Sequence, residues 1–210
     1  MPLQNRVSPF GELFADPARG TVMGNRGGRF HRGDRTLSRR RWTSRQWICC
    51  VLDFKDRHRD VWSAGYTELF FLDEVTALAA GHRPCFECRR VDARSFADEW
   101  RRAFDLPRAP TAPEMDRVLH GERLDGRQKC LHKVAPEDLP DGASVLLPGE
   151  DETAWMVKGD TLLRWTPSGY SEARPRPRDG ALTALTPPAI LAVLGAGYVP
   201  RWHDSAARLG

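Results

Sequence analysis

Apolar positions along the chain change their period several times, and each change marks an element. Trp47 to Phe54 and Tyr66 to Leu72 are short runs rich in aromatic and other strand-forming residues, which predicts two strands joined by the polar stretch 55–65. Asp73 offers a side-chain cap for a helix over Glu74 to Ala80, and Gly81 offers the residue that ends it. From Val91 to Phe104, the residues Phe96, Trp100, Ala103 and Phe104 fall on one helical face, so an amphipathic helix follows. Pro107, Pro110 and Pro113 interrupt it. Pro113 suits the first turn of another helix, Glu114 to Leu124, with Met115, Val118 and Leu119 facing inward.

A polar stretch through Pro140 separates this half from one with a different rhythm. Ser144 to Leu147, Ala154 to Val157 and Leu162 to Trp165 alternate like half-buried strands, and Lys158-Gly159-Asp160 is a turn between two of them. A further strand, Ala181 to Leu185, leads through Thr186-Pro187-Pro188 into a helix ending near Leu194. The pattern predicts a small antiparallel sheet or barrel with a C-terminal helix. Helix, Gly and Pro recur in Gly81-His82-Arg83-Pro84 and Gly197-Tyr198-Val199-Pro200, a faint internal echo without cysteines in its second copy. Residues 1–46 show little periodicity and many Gly and Arg, which reads as a loop-rich arm.

The chain of 210 residues is long enough for one good core or two small ones. It has no apolar run of membrane-spanning length, and Met1 to Arg6 leads into no secretory apolar region, so the expectation is a soluble cytoplasmic protein without a membrane partner. Net charge is +4, unevenly placed: residues 1–60 hold thirteen Lys and Arg against six Asp and Glu, or +7, leaving −3 for the rest. Only four of the basic residues are lysines.

Five cysteines, at 49, 50, 85, 88 and 130, do not have the spacing of a secreted disulfide scaffold. Cys85-Phe86-Glu87-Cys88 is a C-x2-C pair. On one tight turn, two thiolates at this spacing reach a single zinc ion at about 2.3 Å each. The pair follows a helix and Gly81-His82-Arg83-Pro84, whereas thioredoxin-type redox pairs follow a strand directly; a metal half-site is therefore the reading, with redox or inert thiols as the alternatives.

The stretch Leu69 to Arg89, with its strand, its helix ending in Ala80-Gly81 and its Arg83-Pro84-Cys85-Phe86-Glu87-Cys88 turn, resembles the second half of the metal-binding domain of the Ada DNA-repair family. The likeness covers about residues 47–90. It implies a zinc ion held by four cysteines, two of them from an earlier C-x3-C, with one accepting a methyl group from a DNA phosphotriester. This chain has the adjacent Cys49-Cys50 instead. Neighbouring residues of a strand face opposite ways, so one of the two joins Cys85 and Cys88, with Cys50 preferred. For the fourth ligand the candidates are His31, His82, His132 and Cys130, or a water that leaves an open zinc. His31, in the basic arm, could close the site.

Asn25 to Arg45 carries eight Arg against one Asp, interleaved with Phe30 and Trp42. Arginines among aromatics can grip phosphates and stack bases, so Arg29, Arg39, Arg40 and Arg41 are candidate contacts to DNA or RNA. No Gly-rich phosphate loop follows a strand. His120-Gly121-Glu122 with Pro84-Cys85-Phe86-Glu87-Cys88 is similar to the zinc-deaminase signature in reversed order. His120, Glu122 and His132 are the weak candidates for general acid or base groups.

These observations predict an α+β protein: a basic loop-rich arm (1–46), an Ada-like zinc-binding module with a helical extension (47–140), and a small antiparallel β-rich domain with a C-terminal helix (141–210). The expected function is zinc binding with nucleic-acid contact, in DNA repair or processing, the zinc being mainly structural. The alternatives are a zinc or thiolate enzyme, hydrolase or methyl acceptor, with an open metal position, and a structural zinc protein that binds a protein partner.

Overall fold

The computed structural model describes residues 1–55 and 60–209, so part of the polar stretch 55–65 lies outside the described residues. The first sheet contains β1 (Arg6–Val7), β2 (Leu13–Phe14), β3 (Val22–Arg26), β4 (Trp47–Cys50), β5 (Leu69–Phe71) and, after a helix, β6 (Arg83–Pro84). Its order is β2-β1-β5-β3-β4-β6. β3 runs antiparallel to both β4 and β5, and β6 runs parallel to β4, with Ile48 opposite Arg83 and Cys49 opposite Pro84.

The expectation of an arm over 1–46 is corrected here. β3 is buried along its whole length between β4 and β5, despite the sequence Val-Met-Gly-Asn-Arg. Gly24 explains part of this tolerance. A Cβ there would stand 2.1 Å from the Ile48 carbonyl oxygen and 3.0 Å from the Phe71 ring, so the neighbouring strand and ring close over bare backbone. Gly24→Ala is expected to cost about 1–3 kcal/mol through overpacking. Gly33→Ala, at a position with open space around it, serves as the control in the same thermal melts. Equal melting temperatures for the two variants would contradict this account.

α1 (Glu74–Ala79) follows β5 as the sequence predicts: Asp73 caps it by accepting from the Thr76 amide at 2.9 Å, and Gly81 leaves it with φ +84°. All six of its residues are buried. Such a helix has no solvent face, and it packs as a hub between the two halves of the chain.

α2 (Arg90–Ala103) and α3 (Ala112–Arg123) come next. Phe96, Trp100, Met115 and Leu119 are buried as their spacing predicts. Phe104 and Val118 are not: they are 44% and 43% exposed, Phe104 because it caps the helix end beyond the last turn. α3 has a capping box, in which the Thr111 amide and hydroxyl both donate to Glu114.

The hairpin β7 (Leu124–Asp125) and β8 (Gln128–Lys129) leads into the second sheet. That sheet contains β9 (His132–Val134), β10 (Ser144–Leu146), β11 (Trp155–Lys158), β12 (Thr161–Thr166), β13 (Gly169–Pro175) and β14 (Leu182–Ala184), ordered β13-β12-β11-β10-β14-β9 with every neighbour antiparallel. The expected turn holds, with Gly159 at φ +56°. The polar β9 belongs to this sheet although it precedes residue 141, and it pairs with β14.

α4 (Pro188–Gly195) returns to the first half. Ile190 and Val193 share a core with Phe96, Trp100, Met115, Leu119 and Leu78. A second shared core joins Leu72 and Val75 to Met156, Leu163 and Tyr170. The α+β class with a C-terminal helix is therefore observed, and the cores cross residue 141. No helix among the described residues is long and apolar enough to cross a membrane.

Candidate metal centre and the buried cations

The alternation of a strand decides which cysteine meets the C-x2-C turn. On β4, Cys49 points into a core of Val7, Leu69, Phe71 and Ala77, where its Sγ accepts from Arg89 at 3.4 Å. Cys50 points the other way, towards Cys85. Because β6 runs alongside β4, the Cys85 amide donates to the Cys49 carbonyl at 2.9 Å, and this pins the turn next to Cys50.

The Sγ atoms of Cys50, Cys85 and Cys88 lie within 4.8 Å of one another, and this is the group of potential metal ligands among the described residues. Zinc with tetrahedral Zn–S bonds of about 2.3 Å needs sulfurs ~3.8 Å apart, so small rotamer adjustments suffice.

The surroundings fit a soft cation. Met23 completes the buried cluster with Cys50 and Cys85, while Ile48, Tyr66 and Phe70 pack against it and limit water. The Glu87 amide donates to Cys85 Sγ at 3.4 Å, an outer hydrogen bond of the kind that orients a thiolate ligand. Arg89 N–H donates to the Cys85 carbonyl at 3.0 Å and carries the turn into α2.

Without an ion the three sulfurs compete for protons. Hydrogen bonds with Cys85 and Cys88, then burial, push the Cys50 thiol up. Hydrogen bonds from Cys50 and Cys88 pull Cys85 far down. Cys88 is lowered by its bond with Cys50 but raised overall by Cys85 and burial. One thiolate beside two thiols is a poor arrangement for sulfurs of which two are buried and Cys88 is partly so, and a divalent cation would let all three ionise.

The other sequence candidates are placed elsewhere. His31 does not close the cluster. Its Nδ1 bonds Thr67 Oγ1 at 2.9 Å, its Nε2 bonds the Ser63 carbonyl at 3.0 Å, and its ring stacks on Trp62. His82 is buried between Trp47 and Phe71 and receives the Arg26 Nε–H at 3.4 Å. Cys130 lies outside the group, beside the hairpin end.

His120, Glu122 and His132 have structural partners. His120 Nδ1 meets Arg123 Nη2 at 3.2 Å, Glu122 accepts from the Ala189 amide at 2.9 Å in the first turn of α4, and His132 Nε2 donates to the Glu122 carbonyl at 3.0 Å. Glu122 and His132 thus come near each other, but both hold α4 and β9 in place.

Arg29, Arg39, Arg40 and Arg41 are exposed, and the Arg39 carbonyl accepts from Arg127. Beneath this arginine-rich rim is a feature that sequence spacing did not signal. The Arg26 and Arg123 guanidinium carbons each lie 3.9 Å from a ring centroid of Trp47. Arg26 donates to the Gly11 carbonyl at 2.9 Å, Arg123 to the Gly81 carbonyl at 2.8 Å, and Lys129 Nζ to the Ala79 carbonyl. The last two are carbonyls at the end of α1, where the helix dipole favours cations.

Burial, then Arg26 and Arg123, lower the Lys129 ammonium from 10.5 to about 7. Between those two values the unfolded chain holds a proton that the folded chain lacks, so stability rises with pH across this window. The urea midpoint is expected to climb between pH 7 and pH 9 and to climb less in Lys129→Met. An identical slope in the variant would refute the assignment to Lys129.

Comparison of the chain with protein-family models, with curated proteins and with solved structures returns no match. Fold and site define an α+β protein with a three-cysteine cluster able to hold a metal ion.

Proposed function

We propose that this is a zinc protein of Ada-like construction that contacts nucleic acid, with the ion mainly structural. The observation that carries the reading is the convergence of Cys50 with the Cys85 and Cys88 turn, in the strand, helix and Pro-Cys order that the resemblance names. Zinc is the metal the donor set suits best, since three thiolates in an apolar shell favour a soft, redox-inert divalent ion. When bound, the ion would neutralise the thiolates and tie the end of β4 to the start of α2. The nucleic-acid part is supported by the exposed Arg39, Arg40 and Arg41 with Trp42 beside them.

A second reading is favoured by one observation: the group has three cysteines among the described residues. A zinc whose fourth ligand is water would be a Lewis acid or would hold a reactive thiolate. Cobalt substitution separates the two, because absorption in the sulfur-to-metal region scales with the number of thiolates, and a fourth position exchangeable with added anions would select the enzyme.

A salt titration tests nucleic-acid contact. Each phosphate contact contributes a slope of about −0.9 on duplex or −0.7 on a single strand to log K against log salt, so replacing Arg39, Arg40 and Arg41 together with serine should reduce the slope by about two to three. Absence of binding at low salt, or an unchanged slope, would remove this part of the reading.

A further inference from the structure

Arg26 and Arg123 are 2% and 1% exposed, and among the described residues neither they nor Lys129 forms an ion pair. Asp116, whose charge reaches Arg123, is already held by both arms of Arg83 at 2.9 and 2.7 Å. Backbone carbonyls satisfy donors but carry no net charge. Buried cations without a counter-ion are costly, and structures normally pair them.

The two buried arginines and the half-buried Lys129 line one cleft of about 530 Å³ together with Arg41, Trp42 and Arg127. Arg41 and Arg127 stand exposed on it, and they also line the adjoining hollow with Arg39 and Arg40. One acidic side chain, the exposed Glu12, borders the cleft. Among the described residues, the fully buried Arg123 Nε has no hydrogen-bond partner. The α1 carbonyls account for the placement of Arg123 and Lys129, yet they explain neither the unpaired Arg26 nor the arginines gathered at the mouth.

We infer that this cleft is a phosphoryl-anion site, taking the phosphate of a nucleotide, free or within a strand. Guanidinium forks match phosphate oxygens, and the concentration of positive charge selects a polyanion over a single carboxylate. Trp42, half-buried with its ring 6.1 Å from Trp47, offers a face for a base beside the phosphate. The inference shares the basic rim with the nucleic-acid reading above and does not depend on the metal.

Isothermal titration at low ionic strength with pyrophosphate, ADP and a short single-stranded oligonucleotide tests it. Pyrophosphate is expected to bind the wild type and to bind Arg41→Ser, Arg127→Ser and Lys129→Met about tenfold more weakly each, as loss of a charged hydrogen bond implies. Arg94→Ser, an exposed change on α2, should bind as the wild type does. Arg41 and Arg127 are exposed, so their variants fold even if Lys129→Met does not.

Oligonucleotide displaced by pyrophosphate would identify the phosphate of a strand, and ADP binding without oligonucleotide binding would identify a free nucleotide. Both uphold the site, and the second overturns only the nucleic-acid reading. Absence of pyrophosphate binding, or variants indistinguishable from Arg94→Ser, overturns the inference even if the oligonucleotide still binds.

Discussion

If the cluster holds zinc as proposed, Cys85→Ala is expected to leave purified protein with almost no zinc and the wild type to carry about one equivalent. Cys85 is one of three sulfurs that all lie within 4.8 Å of one another, and its loss leaves two. Two sulfurs on separate elements do not hold the ion against solvent. Cys49→Ala and Cys130→Ala are the informative controls, since Cys49 faces the apolar core and Cys130 lies outside the group, and both variants should retain the metal.

Loss of such an ion would also cost stability. A ligand present at a thousandfold its dissociation constant contributes about 4 kcal/mol, and a chain of this size shifts by about 2–4 °C per kcal/mol, so Cys85→Ala should melt roughly 10 °C below the wild type. Elemental analysis and a thermal scan read the two effects separately. Unchanged metal content in Cys85→Ala would defeat the zinc assignment.

Glu74→Ala should destabilise the chain by a comparable amount without removing the cluster. Glu74 is fully buried in the first turn of α1. Its Oε1 accepts from Tyr198 Oη at 2.6 Å, and its Oε2 from Arg89 Nη2 at 2.7 Å and from the Arg201 amide at 2.9 Å. Arg89 is itself 1% exposed. Removing Glu74 leaves Arg89 only its ion pair with the partly exposed Asp92, at 2.8 Å, and leaves Tyr198 Oη and the Arg201 amide without their acceptor, at a cost of about 3–5 kcal/mol.

Glu74→Gln keeps the shape and part of the hydrogen bonding, so it should fall between the wild type and the alanine variant. Arg35→Ala breaks the solvent-exposed pair with Asp60 and should scarcely move the melting temperature. If Glu74→Ala melts within about 2 °C of Arg35→Ala, the buried network contributes little.

Much of the site was legible in the sequence because the controlling rules are local. A period of two separates Cys49 from Cys50, a tight turn joins Cys85 to Cys88, and Asp73 and Gly81 bracket α1; none of these needs knowledge of the rest of the chain. Burial through partners far away was not legible. Gly24, Asn25 and Arg26 look like loop residues, but they form a central strand because β4 and β5 cover Gly24 and because Trp47 and the Gly11 carbonyl receive Arg26.

The polar strands β9 and β13 escaped for a related reason: they are the two edges of the second sheet and, Tyr170 apart, carry few large apolar residues, so pairing does most to specify them. The cleft's cluster of buried Arg26 and Arg123 with the half-buried Lys129 was invisible because the three residues come from separate elements. Val118 failed in the opposite sense, since an apolar residue at helical spacing turned out to face the surface.

Asp73 holds its cap to Thr76 with one oxygen while the other accepts from Tyr170 Oη at 2.6 Å and from the His203 amide at 3.0 Å. The chain separations of these last two contacts are 97 and 130 residues. Closing such long loops is slow, and α1 has no solvent-facing side on which to wait. The seal on α1 therefore rests on residues from the far end of the chain, and contacts of this separation are expected to form late in folding.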